Sequence, residues 1–175
     1  MSGTSTGLIE QLTRNSAPYH DPLTRIDWES LDRRAFWLPE PALSLYGLPQ
    51  YVALGEAQRQ TLSQYEFINF LMAGLWLEGL FMHRISATLL EPVGNLTRHI
   101  YHLHELREET GHSLMFLELM RRAHLPLHEP RFWRLGLVNA LGRYAPFESV
   151  LFWVAVLIGE EVPDRLNRYV RNHRD

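Results

Sequence analysis

The sequence predicts an all-α protein, a bundle of long helices behind a proline-rich N-terminal arm. Three observations predict it. From Glu56 onward the apolar residues recur with a helical period. Breakers such as Pro92, Gly94 and Pro126 fall between those periodic stretches. No stretch shows a convincing two-residue alternation of the kind a half-buried strand requires.

The elements follow in order. Residues 1–50 form an arm: Pro18, Pro22, Pro39, Pro41 and Pro49 exclude a long helix, and Trp28, Phe36, Trp37 and Tyr46 need a surface to pack on. One short helix is expected there, near Trp28–Ala35. Residues 51–175 form the bundle. Its first long helix runs from Glu56 to Leu90 and ends at Glu91-Pro92 and Gly94. The second starts after Asn95, a favourable cap, and continues to Ala123. A short helix spans Phe132 to Leu141. The last begins at Pro146, with Glu148 set against the helix dipole, and Pro163 should kink or divide it.

Composition narrows the function. The 175 residues suit one domain with a substantial core, and 46% apolar with 21% charged residues is ordinary for a globular chain. The net charge of −3, with scattered Lys and Arg, argues against a nucleic-acid surface. With no cysteine, disulfides, thiolate sites and Fe–S clusters are excluded, so any metal must be held by imidazole and carboxylate. The apolar run Val150–Ile158 is far short of the about 20 residues that span a bilayer. Phe67–Ile85 is longer, but a membrane reading would bury Glu78 in lipid. The polar first residues lack the pattern of a signal peptide, and the expected location is the cytoplasm.

Glu78 lies in the middle of an apolar stripe. Phe67, Leu71, Gly74, Glu78, Phe81 and Ile85 share one helical face within about 80°. A lone buried carboxylate is costly, so it must have partners: an arginine or hydroxyl in the plain reading, a metal in the functional one. Gly74, one turn away, suggests free space beside it. On the second helix, Glu109-Thr110-Gly111-His112 places carboxylate and imidazole on adjacent turns. They belong to a stripe of His102, Glu105, Glu109, His112, Phe116 and Leu119. His102 and Glu105 are candidates to orient the ligands, or are plain surface groups. Glu160 closes the apolar run of the last helix; Glu161 is its rival, and periodicity does not separate them. Trp76, Phe81 and Phe116 are candidates to line a pocket, with core packing the alternative.

One rule unites these residues. Ferritin-like dimetal bundles take a Glu from each of two helices and a Glu-x-x-His from each of two others. Here Glu78, then Glu109/His112, then Glu160 follow on successive long helices. The sequence resembles the p-aminobenzoate N-oxygenase family of non-haem diiron oxygenases from about Trp28 onward. The likeness rests on Gln58-Arg59-Gln60 and its spacing to Glu78, on Glu108-Glu109-Thr110-Gly111-His112, and on Gly159-Glu160 followed by Asp164 and Leu166. The last match favours Glu160 over Glu161. The resemblance implies Glu78, Glu109, His112 and Glu160 as ligands of two iron ions, with manganese the lesser option. It implies O2 as co-substrate, a small organic substrate such as an aryl amine, and an electron donor; a homodimer is a candidate assembly. It also implies a further helix bearing His and a second Glu-x-x-His. The sequence ends at Asp175, so the bundle is expected to be incomplete and inactive alone. An apolar groove would then be exposed, formed by Phe67, Leu71, Phe81, Ile85, Phe116, Val154 and Ile158. The alternative functions are a ferritin-like metal-binding protein, or a helical partner-binding protein, without oxygenase activity.

Overall fold

The computed structural model describes residues 3–127, 136–146 and 149–173. Its two longest helices are α4 (Glu56–Thr88) and α5 (Leu96–Ala123), which pack against each other and carry the core. Both begin where local chemistry satisfies the orphan amides of a helix start. Gln58 Oε1 accepts from the Gly55 N–H at 3.0 Å, and Asn95 Oδ1 accepts from the Arg98 N–H at 3.1 Å. Helix α5 stops at His124, whose φ of 53° is left-handed, before Pro126.

Between these helices, Ile68, Leu71, Met120 and Ala123 are buried, with Phe67, Phe70, Phe116 and Leu119 packed around them. A second cluster of Leu38, Leu43 and Tyr51 ties the N-terminal segment to Leu62 and to Leu166 and Val170. The remaining helices sit on this pair. Helices α1 (Gly3–Ser16) and α2 (Pro22–Arg25) pack on α5, while α6 (Gly136–Tyr144) and α7 (Val150–Asn172) pack on α4. A single turn, α3 (Pro49–Val52), precedes α4. Arg84 of α4 donates to the carbonyls of Arg143 and Ala145, capping the end of α6, and stacks 5.6 Å from the Phe152 ring.

Among the described residues the chain is helical with no strand, as expected. The N-terminal segment is more ordered than expected. It holds the 14-residue helix α1 besides α2 and α3, whereas Trp28–Ser30 is only a 3-10 turn. The prolines that bar a long helix all lie after α1. Buried polar groups of α4 hold the loop that follows: Ser63 Oγ accepts from the Trp37 N–H, and Gln64 Nε2 donates to the carbonyls of Arg33 and Ala35.

The last helix begins at Val150, with Ser149 at its cap position, rather than at Pro146; Glu148 lies outside the described residues, as do residues 132–135 of the expected short helix. Pro163 does not divide α7, which runs through it to Asn172. One missing N–H is outweighed by the bonds on either side. The expected groove is also redistributed. Leu71 and Ile85 are buried, and the exposed apolar face belongs to α7, through Val150, Val154, Leu157, Ile158 and Val162. No helix among the described residues is long and apolar enough to cross a membrane.

Candidate metal centre

Helix α4 presents Glu78 to the turn of α5 that carries Glu109 and His112. One ligand atom from each lies within 4.8 Å of the other two. His112 Nδ1 is 3.0 Å from Glu109 Oε2 and 3.8 Å from Glu78 Oε1. The carboxylates are nearly enclosed, with side-chain exposures of 16% for Glu78 and 10% for Glu109, whereas His112 is 46% exposed at the open edge. Sequence spacing explains the pair on α5, since residues three apart share a face. Only the packing of α4 on α5 explains the third member.

Crowding two carboxylates in a partly desolvated place forces a proton onto one of them. Burial pushes the Glu78 carboxyl up to about 9, and the hydrogen bond to Glu109 and the charges of Glu109 and Glu160 push the same way. Burial would raise Glu109 too. The hydrogen bonds from His112 and Glu78 overcome it and hold Glu109 below its ordinary value. Its bond to Glu109 in turn raises His112, against burial. At neutral pH the cluster therefore stores a proton on Glu78 and favours the imidazolium at His112. The all-oxygen-and-imidazole donor set fits iron, manganese or zinc.

Glu160 of α7 is exposed and outside this group of three, yet its charge raises Glu78, Glu105 and His112, and burial with the charge of Glu109 raises its own value. Glu161 is turned to Arg165, 2.8 Å away, and the hydrogen bond to that residue holds it below the ordinary range. His102 is buried, with Nδ1 2.7 Å from the hydroxyl of Thr88 at the far end of α4. Glu105 is raised by burial and lies within electrostatic reach of Glu109 and Glu160. Gly74 does not leave space for a ligand. A Cβ there would stand 3.1 Å from the Phe116 ring, which fills the site. Trp76 points away, its Nε1 donating to Asn139 Oδ1 at 2.8 Å beside a cavity of about 490 Å³ between α4 and α6.

Sequence reasoning missed the role of Gly111. Its Cα lies under the N-terminal segment, on the side of α5 away from the cluster, and a Cβ there would be 2.5 Å from the Tyr19 hydroxyl. The glycine inside Glu-x-x-His was the available signal.

The fold and the cluster together define an all-α, ferritin-like bundle with a carboxylate–imidazole group built between its two central helices. Comparison with known proteins sharpens this. The family described as P-aminobenzoate N-oxygenase AurF matches residues 3–175, and the chain belongs to that family. Uncharacterized proteins of Mycobacterium bovis and Mycobacterium tuberculosis are 30% identical to it over 166 residues, covering 90% of this chain and 46% of each relative. The chain thus spans just under half the length of the curated relatives it matches. No solved structure matches it.

Proposed function

We propose that the chain carries part of the metal centre of a cytoplasmic non-haem diiron oxygenase that oxidises a small organic substrate, by N-oxygenation of an aryl amine in the sense of the family's description. The observation that carries this reading is the convergence of ligand atoms from Glu78, Glu109 and His112, brought together from two helices. Glu78, Glu109 and His112 would hold one ion, and Glu160, reaching the same field from α7, would serve the pair of ions. Bound iron supplies the redox chemistry with O2, drawing electrons from an external donor, that no side chain here can supply.

The residues then have definite tasks. Glu78 gives up its proton when a cation arrives, and the two carboxylates neutralise the incoming charge. Before a cation arrives Glu109 holds the His112 imidazole through Nδ1, and that nitrogen must shed its proton to become a ligand. The Phe116 ring, seated on Gly74, keeps water from the inner side of the cluster. The half-exposed edge at His112 and Glu160 leaves an approach for substrate.

A second reading is favoured by a specific observation. Among the described residues the three convergent ligands suit a single ion, which favours a metal-binding protein without oxygenase activity. The two are separated by reconstitution with ferrous iron without oxygen, then exposure to O2 with p-aminobenzoate and a reductant. The reactions compare the chain alone with the chain extended by the unmatched portion of a mycobacterial relative. Two irons per chain and an N-oxygenated product with the extension support the oxygenase. Iron binding without product in both refutes it and leaves the metal-binding reading.

A further inference from the structure

Helix α5 has two working sides. Glu105, Glu109, His112, Phe116 and Leu119 make its inner stripe, and Arg107, Gly111, Glu118 and Arg122 recur on another stripe roughly 130° round the helix. The outer stripe receives the N-terminal segment at two clamps. At one, Arg107 Nη2 donates to the Ser16 carbonyl at 2.6 Å, and its guanidinium lies 4.6 Å from the Tyr19 ring. At the other, Arg122 pairs with Glu29 at 3.0 Å and lies 5.5 Å from the Trp28 ring, braced by Glu118 at 2.6 Å.

Gly111 sits between the clamps, one residue from His112 and two from Glu109. It is buried, and a Cβ added to it would stand 2.5 Å from the Tyr19 hydroxyl and 3.1 and 3.2 Å from Cδ and Cγ of Pro22. No residue but glycine lets the segment lie this close to the helix. Glycine in mid-helix costs about 1 kcal/mol relative to alanine, so the close contact must return at least that. The neighbouring ring cannot simply swing aside, because Arg107 covers it and Pro22 follows it into α2.

We propose that Tyr19 and Gly111 are positioning residues for the metal centre: the N-terminal segment, seated on Gly111, fixes the turn of α5 that presents Glu109 and His112 to Glu78. The inference rests on reading that cluster as a metal site. Outer contacts that orient ligands are worth about 10- to 100-fold in metal affinity when lost. A contact that served only to cover the core would change stability and leave affinity alone.

The test is Co2+ titration of the 175-residue chain, followed by its visible absorption, with far-UV circular dichroism as the check on folding. Gly111→Ala should bind Co2+ about tenfold more weakly, with an altered visible spectrum and unchanged helix content. Tyr19→Phe alone loses the hydroxyl contact and keeps the ring beneath Arg107, so it should weaken Co2+ binding less than Gly111→Ala does. The double variant should recover most of the loss, because deleting the hydroxyl clears the closest contact. Parent-like affinity and spectrum in Gly111→Ala, or a loss that Tyr19→Phe does not restore, overturns the proposal. If Gly111→Ala does not fold, Arg107→Met decides. It releases Ser16 and the Tyr19 ring, and should weaken Co2+ binding severalfold at equal helicity; parent-like binding overturns the idea. A parent chain that gives no Co2+ spectrum refutes the metal centre itself, and this inference with it.

Discussion

The proton on Glu78 makes a prediction that can be worked through. A carboxyl raised from 4.5 to about 9 must take up a proton as the chain folds above pH 4.5. The sign follows: the contribution of Glu78 to the stability of the metal-free fold is fully present below pH 4.5 and is lost as the pH climbs towards 9. At pH 7, with 1.36 kcal/mol for each pH unit, the cost is about 3 kcal/mol. Gln at this position matches the shape of the protonated acid and still donates to Glu109, so Glu78→Gln avoids the cost while keeping the bond. Urea melts in chelator should therefore show Glu78→Gln about 3 kcal/mol more stable than the parent at pH 7, with the gap closing by pH 4.5. The same variant should lose the stabilisation that added Fe2+ gives the parent. A destabilised Glu78→Gln at pH 7, or a gap that does not change with pH, would refute the reasoning and make Glu78 a structural hydrogen-bonding partner.

Three other outcomes follow. Metal binding at pH 7 should expel the Glu78 proton and part of a second from His112, read as a dependence of calorimetric enthalpy on the buffer's ionisation enthalpy. Glu160→Ala should bring the Glu78 carboxyl closer to its ordinary value and weaken Co2+ binding, whereas Glu161→Ala, which removes surface pairs with Arg165 and Arg168, should leave metal binding and stability close to the parent's. The apolar face of α7 should drive self-association, so that Leu157→Lys with Ile158→Glu shifts the chain to a smaller species in size-exclusion chromatography without loss of helicity.

Local rules made much of this legible in advance. The period of α4 and α5, the Asn95 cap, the turn at Pro92 and Gly94, and the i, i+3 pairing of Glu109 with His112 all act within a few residues, so the sequence alone determined them. The all-α class followed from the same signals. Contacts between distant segments decided the rest. That the space at Gly74 belongs to Phe116, that His102 is bonded to Thr88, and that Glu160 and Glu161 face different neighbours depend on how whole helices rotate against each other. Helix α1 was missed because short amphipathic helices owe their stability to the surface they pack on, here α5, more than to their own propensity. Gly111 shows the same division. The sequence shows a glycine between two candidate ligands, but only the packing of Tyr19 and Pro22 explains why no larger residue fits, since that exclusion arises between atoms some ninety residues apart along the chain.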